Sequence, residues 1–338
     1  MRKLIAAGFA AIILVIAGVL LWPSSSPGLV LYSGLDYGPA VAAAFTKETG
    51  IKVSAIRLST GSLLARIVAQ GGHPDWDIGW FDGATAAAAL DEKGLLAHAM
   101  PAPSNLTATG QSLLSADRAF APTGFTLAGV FISAPARLAS PPTGWDALRN
   151  APYQGLVGMN DPSISGPTYP MLAGMLAHAG GWPEGQAYVE ALKANGLHMF
   201  DDNGATLAAL KAQAISLAIV QSSAAIYFAA HNPGYQITVP SPAYVLPNVM
   251  VEAKGVSAAK RQEIARFLAF AMRPDIQKLR QEKGGPDGNF WPITNDAPAP
   301  LPGAPALSGL NIVTLDPVLW GKLETTVNGW FAQTMSAR

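Results

Sequence analysis

The chain has 338 residues, no cysteine, and 22 basic against 22 acidic side chains, so its formal charge is zero. Neutrality, with no basic stripe and no cluster of stacking aromatics, excludes a nucleic-acid partner, and the lack of cysteine excludes disulfides and a lipidated N-terminus. Half of the residues are apolar and 13% are charged, enough to bury a core without covalent staples.

Arg2 and Lys3 precede an apolar run from Leu4 to Trp22, a charged n-region and hydrophobic core that direct export. The run is 19 residues long. That exceeds the usual h-region and is long enough to span a bilayer, with Trp22 at interfacial depth. The exit, Pro23-Ser24-Ser25-Ser26-Pro27, offers no A-x-A cleavage site. Residues 1–28 are therefore either a signal peptide or an N-terminal membrane anchor. Without Arg2 and Lys3 the remainder carries 20 basic against 22 acidic residues.

From Leu29 the chain alternates strands and helices. Leu29 to Tyr32 is a buried strand, Ser33 to Asp36 a turn, and Pro39 to Thr49 a helix whose Val41, Ala44 and Phe45 share one face before Gly50 stops it. Ile51 to Ile56 is a second strand. The polar loop Ser59-Thr60-Gly61-Ser62 opens a helix to Gln70, and a third strand ends at Trp80-Phe81-Asp82-Gly83. Ala84 to Lys93 is helical, Pro101 to Thr109 a surface loop, and Phe125 to Ser133 a strand that crosses into a second lobe.

That lobe continues through a strand at Gly155 to Met159, the loop Asp161 to Gly166, helices at Pro167 to His178 and Glu184 to Asn195, a strand at Leu197 to Phe200, a helix at Ala205 to Gln213 and a strand at Ile215 to Val220. Tyr235 to Val239 returns the chain, and Val249 to Glu252 joins the first sheet. Ser257 to Arg273 and Pro317 to Met335 are helices flanking a Pro-rich linker, Ala297 to Ala306. Such alternation predicts an α/β architecture of mostly parallel sheets in two lobes. The expected division is residues 29–122 and 241–338 for lobe 1 and 123–240 for lobe 2, with a ligand cleft between them and two hinge crossings.

Three helix starts carry hydroxyls, glycines and free backbone N–H groups: Ser59, Thr60, Gly61 and Ser62; then Ser163, Ser165, Gly166 and Thr168; then Asn203 to Thr206. Converging in one crevice, they would hold a phosphate, phosphonate, sulfonate or carboxylate without net positive charge; each alone is explained by helix capping. Asp82 and Asp36 are placed either to pair with a ligand ammonium or to cap a turn. Tyr32, Tyr37, Trp80, Phe81, Tyr169 and Trp291 are suited to core packing or to walling a cleft. No H-E-x-x-H, G-x-S-x-G or G-x-x-x-x-G-K-[ST] pattern occurs, and Ser257-Ala258-Ala259-Lys260 matches S-x-x-K without companion motifs. No enzymatic activity and no cofactor or metal is therefore expected.

Four segments in order, LVLYSGLDYGPAVAAAFTKETGIKV, STGSLLARIVAQGGHPDWDIGWFDG, DPSISGPTYPMLAGMLAHAGG and VSAAKRQEIARFLAFAMRPDIQKL, resemble the extracellular solute-binding proteins of ABC importers, in the branch with ferric-iron, 2-aminoethylphosphonate and thiamine binders. The resemblance implies a type II periplasmic-binding-protein fold, a periplasmic monomer serving permease and ATPase subunits, and capture of a small-molecule solute by lobe closure. The ferric members carry adjacent tyrosines where this chain has Gln221-Ser222-Ser223-Ala224, which disfavours ferric iron; Gln221 and Ser222 suit an oxyanion or polar organic ligand. The expected binding set is Tyr32, Ser33, Ser59, Thr60, Gly61, Ser62, Asp82, Ser163, Ser165, Gly166, Thr168, Gln221 and Ser222, taking a phosphonate or organophosphate such as 2-aminoethylphosphonate. A ferric or thiamine-like ligand, or a membrane-tethered sensor of the same fold, is the alternative.

Overall fold

The computed structural model describes residues 28–336 except 139. The N-terminal apolar run lies outside the described residues, among which no helix is long and apolar enough to cross a membrane. The chain begins β1 (Leu29–Ser33), α1 (Gly38–Thr49), β2 (Val53–Arg57), α2 (Thr60–Gln70), β3 (Ile78–Asp82), α3 (Ala84–Glu92) and a short α4 (Ala108–Ser112). It continues with β4 (Phe120–Leu127), β5 (Val130–Ser133), β6 (Val157–Asn160), α5 (Tyr169–His178), α6 (Gln186–Ala194), β7 (His198–Phe200), α7 (Asn203–Lys211), β8 (Leu217–Val220) and α8 (Ser222–His231). Last come β9 (Gln236–Thr238), β10 (Ala243–Glu252), α9 (Ala258–Ala271), α10 (Pro274–Lys283), β11 (Ile312–Val313) and α11 (Pro317–Ser336).

Two sheets result. In the first, β2, β1 and β3 run parallel, Leu31 lying opposite both Ala55 and Ile78, and β10 adds antiparallel to β3. β4 pairs with β10 and β11 joins its start. The second has the order β7-β6-β8-β5-β9, with β5 antiparallel to β8. α1 buries Val41, Ala42 and Phe45 on one face. It stops at Gly50, whose φ of +74° is left-handed and free of strain only without a Cβ.

The expected single strand from Phe125 to Ser133 is two strands in different sheets. All of β4 pairs with β10, so the chain leaves the first sheet at Ala128-Gly129 rather than at residue 123. Gly129 permits the turn, since a Cβ there would lie 2.7 Å from the sulfur of Met171. Likewise Tyr235 to Val239 does not return the chain; β9 stays beside β5, and β10 makes the return. β10 is buried along its whole length, as a strand central to a sheet with both faces covered must be.

Two packing features matter below. Arg280, in the last turn of α10, is fully buried, its guanidinium 4.7 Å from the ring of Tyr37, 5.1 Å from Trp80 and 4.2 Å from Phe290. It donates to the Thr123 carbonyl at 2.9 Å and to the Tyr37 hydroxyl at 3.1 Å. The other is α11, which rides against α3 so closely that a Cβ on Gly321 would meet the Thr85 carbonyl at 2.8 Å. An adjacent face sends Trp320, Val327 and Phe331 into a core shared by α5, the second sheet and Tyr244 and Leu246 of β10, and the Tyr169 hydroxyl donates to the Trp320 carbonyl at 2.5 Å.

Candidate ligand-binding cleft

The C-terminal ends of β1, β2, β3 and β8 open onto one cleft of about 750 Å³ between the sheets, where open α/β sheets place their ligands. On the first-lobe side stand Arg57 at the end of β2, Thr60 and Gly61 at the start of α2, and Asp82 at the end of β3. Ser59 caps α2: its Oγ accepts from the Ser62 N–H at 3.2 Å. Among the described residues the amides of Thr60 and Gly61 have no acceptor, so they leave unsatisfied donors and the positive end of the helix at the cleft. The opposite wall is Ser165, Gly166 and Asn203. Closure is tight at this edge, since a Cβ on Gly61 would lie 2.9 Å from the Ile164 carbonyl.

Carboxylates dominate the rest. Asp36, Asp82, Asp201, Asp202 and Asp287 line the cleft against Arg57 and Lys211. Asp82 is 3% exposed. Its oxygens accept only from amides, Asn248 Nδ2 on one side and Gln221 Nε2 at 3.1 Å on the other. Gln221 begins the second-lobe helix α8, so this bond ties the lobes across the cleft floor. Burial pushes the Asp82 carboxyl up to about 6, while burial and the charge of Asp82 push Asp287 up to about 8. Arg57 sits 2.7 Å from Asp36 and 4.0 Å from Asp287, whose Oδ2 also accepts the Asp36 N–H at 2.8 Å.

Of the binding set expected from sequence, Ser59, Thr60, Gly61, Asp82, Ser165, Gly166 and Gln221 come together at the cleft, with Asp36, Asn203 and Gly204, also singled out, beside them. Six do not line it. Tyr32 is buried beneath α2, with its hydroxyl on Asp75. Ser33 turns back onto the Leu35 carbonyl at 2.7 Å, and Ser62 bonds Ser59. Ser163 closes a turn on Asp161, Thr168 accepts from Asn160 Nδ2 at 3.3 Å, and the Ser222 Oγ accepts from the Leu127 N–H at 2.9 Å. Tyr37, Trp80, Phe81, Tyr169 and Trp291 are core residues; the aromatics that line the cleft are Tyr227 and Phe228. Arg57 and Asp287 were not singled out. Arg57 had a local signal, a cation two residues before Ser59, whereas Asp287 had none, lying 251 residues from Asp36, whose N–H its Oδ2 accepts.

Behind the second wall, Asn160 Nδ2 donates to Asn203 Oδ1 at 2.7 Å, and the Thr206 hydroxyl donates to Asn160 Oδ1 at 2.6 Å. This network fixes the start of α7. Among the described residues the one group of three carboxylate or imidazole side chains close enough to share a metal is Asp91, His98 and Asp117, none of which lines the cleft.

The sequence model for bacterial extracellular solute-binding proteins matches residues 40–307. Among solved structures, AfuA of Actinobacillus pleuropneumoniae with fructose-6-phosphate bound has a TM-score of 0.78 and 18% identity, covering 92% of this chain and 99% of that one. Iron-bound HitA of Pseudomonas aeruginosa has 0.74 and 17%, covering 90% and 99%. A periplasmic thiamin binding protein has 0.69 and 18%, covering 93% and 98%. Among curated proteins none matches. The structural likeness shows the mixed α/β, two-lobed periplasmic-binding-protein fold.

Proposed function

Because the chain belongs to the bacterial extracellular solute-binding proteins, a family of binders and not of enzymes, we propose that it captures a small anionic solute of phosphonate or organophosphate type for an ABC importer. One observation carries the choice of head group. The unsatisfied amides at the start of α2 stand beside Arg57 and face Gly166 across the cleft, a constellation that recognises tetrahedral oxyanions. Ferric iron is disfavoured, because neither Ser222 nor Ser223, where the resemblance sought phenolates, is a tyrosine.

In this reading the lobes hinge at Ala128-Gly129 and at Val239 to Pro242, and a solute touching both walls stabilises the closed state that a permease and its ATPase read. The protein acts as a monomer in the periplasm, and residues 1–28 serve as signal peptide or tether.

A thermal-shift screen of the full chain tests the head group, since a ligand that binds only the folded state raises the melting temperature. Phosphonates or phosphate esters are expected to stabilise it, and stabilisation by ferric salts alone would sink the anion. Arg57→Gln is expected to remove most of the shift with little effect on the unliganded protein, its partner Asp36 being exposed. Ser59→Ala behaves differently: it loses the cap of α2, about 1 kcal/mol of unliganded stability.

A further inference from the structure

We propose that the solute is an extended dianion: its oxyanion head lies at the start of α2, its body along a trough between α7 and α8, and a second acidic group meets Lys211 at the far end. This rests on the anion reading for the head and adds the body and the tail.

The cleft wall facing α2 is built from two helices that both start at the cleft, α7 beside Asn203 and α8 beside Gln221. Along α7 the lining residues continue through Leu207 to Lys211, and along α8 through Ala224, Tyr227 and Phe228 to His231. Side chains three, four or seven positions apart share one face of a helix. Each row is therefore a continuous flank, and the cleft runs on between the two. At a rise of ~1.5 Å per residue, the row from Asn203 to Lys211 is about 12 Å long. The cleft volume, about 750 Å³, suits an organic molecule of drug size rather than a bare oxyanion.

The chemistry changes along the trough. Past Asn203 and Gln221 come apolar surfaces, with Leu207 and Ala224 buried and Phe228 half-buried, which favour an apolar body. Tyr227 is 38% exposed, and its ring centroid lies 4.2 Å from that of His231, whose Nδ1 donates to the Tyr227 carbonyl at 2.8 Å. Lys211 closes the far end. Its Nζ reaches from the last residue of α7 to Asn232 Oδ1, just past the end of α8, at 2.8 Å, and meets no carboxylate among the described residues. The dipole of α7 accounts for a cation at this position. It does not account for the bridge to the second helix, which holds an ammonium across the trough on one neutral acceptor with donors to spare. A carboxylate or second phosphate at that end takes those donors in charge-assisted bonds.

The test is titration calorimetry of the full chain with n-alkylphosphonates of one, six and ten carbons, a ten-carbon ω-carboxyalkylphosphonate, and the α,ω-dicarboxylate of the same length. Affinity is expected to climb by up to about fourfold for each methylene that enters the trough, levelling off once it is filled. The terminal carboxylate should add about tenfold more. Lys211→Met should bring the ratio between the carboxylated and the plain ten-carbon chain close to one, and Lys211→Arg should keep most of it. Ala208→Phe, which plants a ring in the trough from the exposed face of α7, should flatten the dependence on chain length. Because each variant is read as a ratio between probes, a general loss of stability does not imitate these results.

Methylphosphonate bound as tightly as the ten-carbon chain overturns the trough and leaves the head-group reading standing. A gain with length but none from the carboxylate, or a carboxylate gain that survives Lys211→Met, overturns the tail subsite and with it the dianion. Binding of the dicarboxylate but of no phosphonate keeps the trough and its Lys211 end and removes the phosphonate head. Binding of none of the probes overturns both.

Discussion

An Arg280→Ala variant is expected to lose about 3–5 kcal/mol of folding stability, read as a lower urea midpoint. The guanidinium is wholly buried and meets no carboxylate in hydrogen bonding. Its charge is offset by the faces of Tyr37, Trp80 and Phe290, by the Thr123 carbonyl, and by its place in the last turn of α10, where the helix dipole favours a cation. Truncation opens a cavity among three rings and strands the Thr123 carbonyl, so a transfer loss and an unpaired acceptor add. Arg280→Met separates the two contributions. It refills most of the volume and brings a polarisable sulfur to the rings, so about half of the loss should be recovered. An Arg280→Ala midpoint corresponding to less than about 1 kcal/mol would show that the cage is replaceable packing.

The second large effect is on binding. Gly61→Ala is expected to reduce solute affinity about tenfold or more, because its Cβ would lie 2.9 Å from the Ile164 carbonyl where the walls meet. Unliganded stability should change by less than about 1 kcal/mol, since lobes free to part relieve the contact and alanine is at least as good a helix former as glycine. A large loss of affinity with little change in stability distinguishes a closure defect from general damage. Calorimetry and thermal unfolding of the same variant check both, and unchanged affinity would show that the 161–166 loop yields to the methyl. Gly61→Val, with two further methyls, should fall below alanine in affinity.

Much of the first lobe was legible because its signals are local. The Val41 and Phe45 face, completed by Ala42 where Ala44 was expected, the Gly50 stop, and the polar opening of α2 each sit within one element, and β3 ends on Asp82 as its sequence suggests. Strand-end orientation was not legible. Tyr32 and Ser33 are adjacent at the end of β1, and neither reaches the cleft, because one packs under α2 while the other hydrogen-bonds its own turn. The same ambiguity separates Gln221, which faces the cleft, from Ser222, which faces the β4–β5 junction. The crossing into the second sheet was displaced because Phe125 to Ser133 is apolar throughout, and only tertiary contact with Met171 marks Gly129 as the break. Asp287 joins the site by folding alone.

The last helix bears on which solutes can enter. α11 grips α3 of the first lobe through Gly321 and seats Trp320, Val327 and Phe331 in a core that takes in α5 and the second sheet. It therefore links the two halves non-covalently, and no residue of it lines the cleft. Each large apolar side chain pulled from its seat costs about 1.5–3 kcal/mol, so wide separation of the lobes is penalised steeply while a narrow rotation is not. The last helix, which lines no part of the cleft, is thus expected to limit how far the lobes can part, and shortening its apolar side chains should widen the range of solute sizes accepted.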